Sequence, residues 1–331
     1  MKKMMSILMA VVMMMVMLCG GAMAEEMKTV GVIQYATHPS LDNCYEGFVQ
    51  GLAEGGFVEG ENLTIDFQNA MGDMGNGDMQ AKNMVAKDED MLVGIATPAA
   101  MSAYAATKEL GTPVVFVAVS DAVSAGIVKS NEEPGTNCTG VSDVLNLKAQ
   151  VEMIRAFLPE ATKIGIIYTT SEPNSISHLD RIKEIAPEYG FEIVEMGISG
   201  PAEVGSAAAA LVAQSVDCIN NFTDNNVVDN LPMVLHATNE AGIPVFGSEV
   251  EQVVNGCLAT QGIDYVALGR EAGLMAAAIL KGEAAPETTA VQLIDEVTPA
   301  YNSEVAAALG LTLPEAYADA ADVCAEEEAA E

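Results

Sequence analysis

Ten short runs rich in Val, Ile, Leu and Phe punctuate the chain: "TVGVIQYA", "LTIDFQNA", "MLVGIA", "PVVFVAV", "KIGIIYT", "FEIVEMGI", "CINNFT", "IPVFGS", "CLATQG" and "AVQLI". Most are apolar without alternation, so they need cover on both faces, the condition of a parallel sheet between layers of helices. Longer amphipathic stretches such as "NLKAQVEMIRAFLP" and "YVALGREAGLMAAAILKGE" lie between them. The fold class that follows is α/β.

A chain of 331 residues, 50% of them hydrophobic, can bury a large core. Ten strands are more than an open sheet usually carries without splitting. Two stretches also share one order of parts. "VGVIQYATHPSLDNCYEGFVQGLAEGGFVEGENLTIDF" and "IGIIYTTSEPNSISHLDRIKEIAPEYGFEIVEM" both run strand, polar Pro-containing turn, helix, Gly-Phe, strand. Each opens its own doubly wound sheet, and the boundary between two lobes falls in "SDVLN", residues 142–146.

The first residues have export grammar: Lys2 and Lys3, an apolar run from Ile7 to Leu18, then Ala22-Met23-Ala24. A signal peptide over residues 1–24 is expected, placing the protein in the periplasm or at the cell surface. Two rival readings are a lipid anchor at Cys19, which Gly20 and Gly21 suit but the bulky Leu18 does not, and an uncleaved membrane anchor. The formal net charge of -33 makes nucleic acid and anionic membranes poor partners. Residues 315–331 end in an acidic cluster that reads as a solvated tail without a role. Beyond the leader the cysteines are Cys44, Cys138, Cys218, Cys257 and Cys324, with no CxxC and no histidine at ligand spacing, so neither a metal nor a cofactor is expected.

Ligands of open parallel sheets bind at the carboxyl ends of the strands. The six loops there, residues 34–42, 96–101, 119–126, 170–176, 222–228 and 247–252, contain no Lys or Arg. With no GxGxxG or Walker pattern either, phosphate and nucleotide ligands are disfavoured. What the loops offer is helix-start chemistry at Thr97, Ser175, Thr223 and Asp224, and carboxylates at Asp121, Asp224 and Glu249. Helix N-termini can hold a carboxylate and the acids an ammonium, which suits a zwitterion. Taken singly, each residue is equally an ordinary cap or turn former, and Phe48, Phe222 and Phe246 read first as core. His38, His178 and His236 read as loop or helix-surface residues.

In combination, "VGVIQYATHPSLDNCYEGFVQGLAEGGF", "ATPAA", "FVAVSDAVSAGIV", "YTTSEPNS", "TDNNVV" and "YVALGREAG" resemble the ABC-transporter substrate-binding proteins of the family that includes tryptophan- and tyrosine-binding members. The resemblance spans about Val30 to Pro314. It implies the type I periplasmic-binding-protein architecture: two Rossmann-like doubly wound lobes joined by three crossovers, near Val144, Gln261 and Glu287. Lobe 1 then comprises residues 25–144 and 261–287, and lobe 2 residues 145–260 and 288–314. Carried onto matching positions, Gln34, Tyr35, Thr97, Ser120 and Asp121 line the cleft from lobe 1, and Asn174, Ser175, Asp224, Asn225 and Glu249 from lobe 2. Ala122 stands where many relatives have proline. The implied function is non-enzymatic: a monomer that traps one small amino acid, plausibly aromatic, by hinge closure and presents it to an ABC permease, with Asp224 or Asp121 on the ammonium. A sugar or nucleoside binder is disfavoured by the absence of Trp, a secreted hydrolase by the absence of GxSxG and HExxH. A binder coupled to a sensory receptor is the remaining alternative.

Overall fold

The computed structural model describes residues 27–294 and 297–324. The expected signal peptide, Cys19 and residues 325–331 lie outside the described residues.

The first sheet has six parallel strands: β1 Lys28–Gln34, β2 Leu63–Asn69, β3 Met91–Ile95, β4 Val114–Val117, β5 Cys138–Ser142 and a two-residue strand, Gln292–Leu293, at its edge beyond β5. Their order from that edge is Gln292–Leu293, β5, β4, β3, β1, β2, with β1 as the switch point between β3 and β2. Every residue of β3, β4 and β5 is buried, as the unalternated apolar runs of β3 and β4 require. Helix α1, Pro39–Glu54, covers one face together with a later helix, Tyr265–Leu280. Glycines let these two helices touch backbone to backbone. A Cβ on Gly51 would stand 2.1 Å from the Arg270 carbonyl oxygen, and one on Gly273 2.2 Å from that of Phe48.

After β5 the chain leaves this sheet. Helix Leu147–Phe157 packs on helix Pro173–Ile185 in a second lobe, whose strands Lys163–Thr169, Glu192–Ile198, Cys218–Asn220 and Val245–Phe246 form a parallel sheet. Backbone hydrogen bonds from Leu258 N to Val245 O (2.7 Å) and from Gly247 N to Ala259 O (2.9 Å) join this sheet to strand Ala259–Gly262. That strand pairs with Thr298–Tyr301, which in turn pairs with Ala321–Asp322. The chain therefore passes between lobes three times, at 142–147, 262–265 and 293–298.

Two particulars differ from the sequence reading. Residues 288–314 were assigned to lobe 2, yet Gln292–Leu293 hydrogen-bonds beside Val141 and Ser142 in the first sheet, so the last crossing follows Leu293 and not Glu287. Residues 315–324 were read as part of a solvated tail, yet Ala321–Asp322 adds a strand and Tyr317 packs against the core. The five cysteines among the described residues are unpaired, four of them buried.

Candidate functional site

The carboxyl ends of both sheets face each other across a cavity lined from both lobes. The first lobe supplies His38, Leu41, Ala96, Thr97, Ala118, Ser120, Asp143 and Tyr265; the second supplies Asn174, Thr223, Asn225 and Glu249. Two of the first-lobe positions are built under strain. Ala96 (φ 75°) and Ala118 (φ 55°) close strands β3 and β4 in left-handed conformations that non-glycine residues rarely adopt, and these turns aim Thr97 and Ser120 into the cleft.

The cavity wall is rich in unsatisfied polar atoms. Among the described residues, His38 Nδ1, Thr97 Oγ1, Asn174 Oδ1 and Thr223 Oγ1 are buried without a hydrogen-bond partner. Native interiors pair nearly all such atoms, so four on one cavity mark a surface made to meet something polar. Asp143 lies at its floor. One carboxylate oxygen accepts from Ser120 Oγ (2.9 Å), the other from Tyr265 OH (3.0 Å), and its own backbone N–H adds a third bond, which leaves about one of the four lone-pair sites free. Burial raises this carboxyl to about 6 against the pull of those bonds.

Opposite, Glu249 and Glu172 are buried acids raised to about 8. For Glu249 burial acts first and the Glu251 charge second; for Glu172 burial first and the Asp224 charge second. Glu172 sits behind the wall, where one oxygen accepts from Asn174 Nδ2 (3.0 Å) and Asn225 Nδ2 (2.7 Å) and so orients both amides; its other oxygen has no partner among the described residues. His38 is neutral, burial pushing its imidazole down to about 4. No Lys or Arg among the described residues pairs with Asp143, Glu172, Asp224, Glu249 or Glu251.

The lobes also touch directly. His38 Nε2 lies 3.4 Å from Asn225 Oδ1, Asn43 Nδ2 donates to Glu251 (2.7 Å), Ser40 Oγ meets Glu249, and Ser177 Oγ donates to Asp121 (2.8 Å). This is a closed arrangement. The cavity holds about 20 Å³, room for a water or so, so a ligand of amino-acid size needs the lobes to stand wider. A groove of about 240 Å³ adjoins it, sharing His38 and Glu249 as its inner wall.

Of the ten residues selected from sequence, Thr97, Ser120, Asn174, Asn225 and Glu249 meet in this cavity. The other five are not among its lining. Gln34 turns its amide back to Ala36 O (2.8 Å) and Asp42 (2.7 Å), and the Tyr35 hydroxyl donates to Gly72 O (2.8 Å). Asp121 binds Ser124 and Ser177 at the rim. Asp224 is spent internally: it accepts from Thr169 N (2.5 Å), Thr169 Oγ1 (2.8 Å), Ser175 Oγ (2.7 Å) and Val227 N (3.1 Å), so Ser175 serves it and neither lines the cavity. An ammonium on Asp224 or Asp121 is thus not what the geometry offers. Sequence reasoning missed His38, Asp143, Glu172 and Tyr265. Only Asp143 carried a usable signal, a carboxylate at the end of a strand where the chain changes lobes. Phe48, Phe222 and Phe246 are core.

The family profile described as ABC transporter substrate binding protein matches residues 29–324. The chain belongs to that family. A tyrosine-binding protein of Clostridioides difficile (strain R20291) is 39% identical over 288 residues, 87% of this chain and 82% of the relative. A solved ABC domain from Streptococcus pneumonia in complex with L-Trp is 35% identical, covering 89% of this chain and 98% of the other, with a TM-score of 0.85. A ligand-free, open substrate-binding protein with adhesive properties from Clostridium difficile is 39% identical, covering 89% and 99%, yet superposes at only 0.68. The more similar sequence in an open form fits worse than the less similar one holding ligand, consistent with the cross-lobe bonds described above. The architecture is that of the type I periplasmic binding proteins, and substrate-binding proteins of this family work outside the cytoplasm.

Proposed function

We propose that this substrate-binding protein captures an aromatic amino acid between its lobes, by hinge closure, and delivers it to an ABC permease. The observation that carries this reading is the cavity itself: four orphaned polar atoms and a buried carboxylate with lone-pair capacity left, assembled from both lobes without a cation. Asp143 takes the ammonium group, for which it has a free lone-pair site. Thr97 at the start of helix Thr97–Thr107, with Thr223, supplies hydroxyl donors for the α-carboxylate, and Asn174 Oδ1 is a further acceptor for the ammonium group. The aromatic preference is supported by the names of the relatives and by Tyr265 in the wall.

Contacts made to both lobes favour the closed state over the open one, which is the differential affinity that a population shift requires. No covalent step is involved, and the protein acts as a monomer. Residues 1–24 serve export, with cleavage after Ala24, or lipidation at Cys19, deciding between a free and a tethered form. No helix among the described residues is long and apolar enough to cross a membrane.

The test is a thermal-shift and calorimetric screen against L-Trp, L-Tyr and L-Phe beside sugars and nucleosides. At 100 times its dissociation constant the true ligand stabilises by about 2.7 kcal/mol. Stabilisation by a sugar or nucleoside and by no amino acid overturns the reading.

A further inference from the structure

At one rim of the cleft two carboxylates of the second lobe converge on one hydroxyl of the first. Ser40 Oγ meets Glu249 Oε2 and lies 3.5 Å from Glu251 Oε2. A serine hydroxyl has a single hydrogen and can serve only one of two ionised oxygens. A proton on Glu249 resolves the contact: Glu249 donates to Ser40 Oγ, and Ser40 donates its own hydrogen to Glu251, which Asn43 Nδ2 also serves at 2.7 Å. We propose that closing the lobes takes up one proton at this Ser40–Glu249–Glu251 contact, so that the closed form gains population as pH falls.

Among the described residues no cation neutralises the pair. Facing Glu249 from its own short helix, Val250–Val254, are Glu251 and the Gln252 amide, which donates to it; from α1, the Cys44 thiol; from the first crossing, Asp143; from the later helix, the Tyr265 hydroxyl; from the following loop, the Cys257 thiol; Asp264, the cap of that later helix, faces Glu251, and Asp42 faces Cys44. Asp229 and the neutral His38 share the adjoining groove. None is a cation. Burial, then Glu251, holds Glu249 at about 8 in the closed form, and Glu251 is raised too, by burial first. When the lobes part, both acids meet water and return toward the ordinary carboxylate value. A group whose affinity for protons is higher in the closed form favours closure fully below its open-state pKa and loses that effect as pH rises through about 8. The closing equilibrium should fall by up to tenfold per pH unit in between.

The inference rests on the opening and closing proposed above, not on which ligand binds. It is tested by small-angle scattering of the ligand-free protein from pH 7 to 9, at least a unit above the value of about 6 at which Asp143 titrates, with L-tryptophan and L-tyrosine added in parallel samples. The expected result is a mean radius of gyration that rises with pH and levels off above about 8. Glu249→Gln, whose amide donates to Ser40 without a titrating proton, should stay compact at pH 9, whereas Ser40→Ala, which removes a donor to the ionised carboxylate but leaves its burial and Glu251 in place, should keep the pH dependence and move its midpoint upward. Compaction by an added amino acid at every pH, with no pH dependence without it, overturns the proton uptake and leaves hinge closure standing. A radius unchanged by pH and by ligand overturns both.

Discussion

Replacing Asp143 with Asn tests the proposed ammonium site while sparing the fold. The amide keeps one acceptor for Ser120 or Tyr265, and its NH₂ can donate to the other hydroxyl, so neither partner is stranded. It also removes a buried charge. The cost to folding should stay within about 1 kcal/mol. Binding should respond far more strongly, because a hydrogen bond to a charged group is worth about 1.5–3 kcal/mol. At about 1.4 kcal/mol per factor of ten, the dissociation constant for L-tryptophan or L-tyrosine should rise about 10- to 150-fold. Only the ionised carboxylate binds an ammonium, and burial places this carboxyl at about 6. The wild-type affinity should therefore weaken as pH falls below that value, and the variant should lose this acid limb. Isothermal titration calorimetry from pH 5 to 7, with urea denaturation as the folding control, measures both quantities. A folded Asp143→Asn protein that binds within threefold of wild type, with the acid limb intact, refutes the assignment.

Asp224→Ala should lower folding stability in urea by about 3 kcal/mol or more, from a lost cap plus donors of Thr169 and Ser175 left unpaired. Unchanged stability with binding abolished would return Asp224 to the ligand. Ser177→Ala removes a bond between the lobes worth about 0.5–1.5 kcal/mol and should weaken capture about 2- to 10-fold, seen as faster release in stopped-flow fluorescence; unaltered release excludes that contact from the closed state. Gly273→Ala forces a methyl group against the Phe48 carbonyl and should cost about 1–3 kcal/mol, whereas Gly200→Ala, with open space around it, should cost almost nothing; equal urea midpoints would contradict the helix contact.

Where hydrophobic periodicity spoke clearly, the sequence was a sufficient guide. The continuous runs in β1, β3 and β4 must be covered on two faces, and they are, whereas β5, with Thr139, Gly140 and Ser142 among its five residues, is not legible as a run. Strand Thr298–Tyr301 escaped notice because Pro299 breaks the usual pattern and its partners, Ala259–Gly262 and Ala321–Asp322, lie far away in the chain. Site residues divide along the same line. Thr97, Ser120 and Asn174 follow strand ends, so local grammar places them at the cleft. Whether an acid is available or spent is a tertiary matter: Asp224 and Asp143 read alike in a string, but four donors from other residues converge on the first and two on the second. His38 reads as a surface loop residue because nothing nearby announces that Asn225, 187 positions on, will cover it.

Asp143 stands on the first passage between the lobes, and Tyr265, which it grips, opens the helix that follows the second passage. Two of the three connecting strips are thus pinned at one carboxylate that also forms the floor of the cavity. Whatever neutralises that charge loosens or tightens the bearing on which the molecule swings. With its ammonium group on Asp143, as proposed, the guest need not push the jaws together from the outside, since it would sit on the axle.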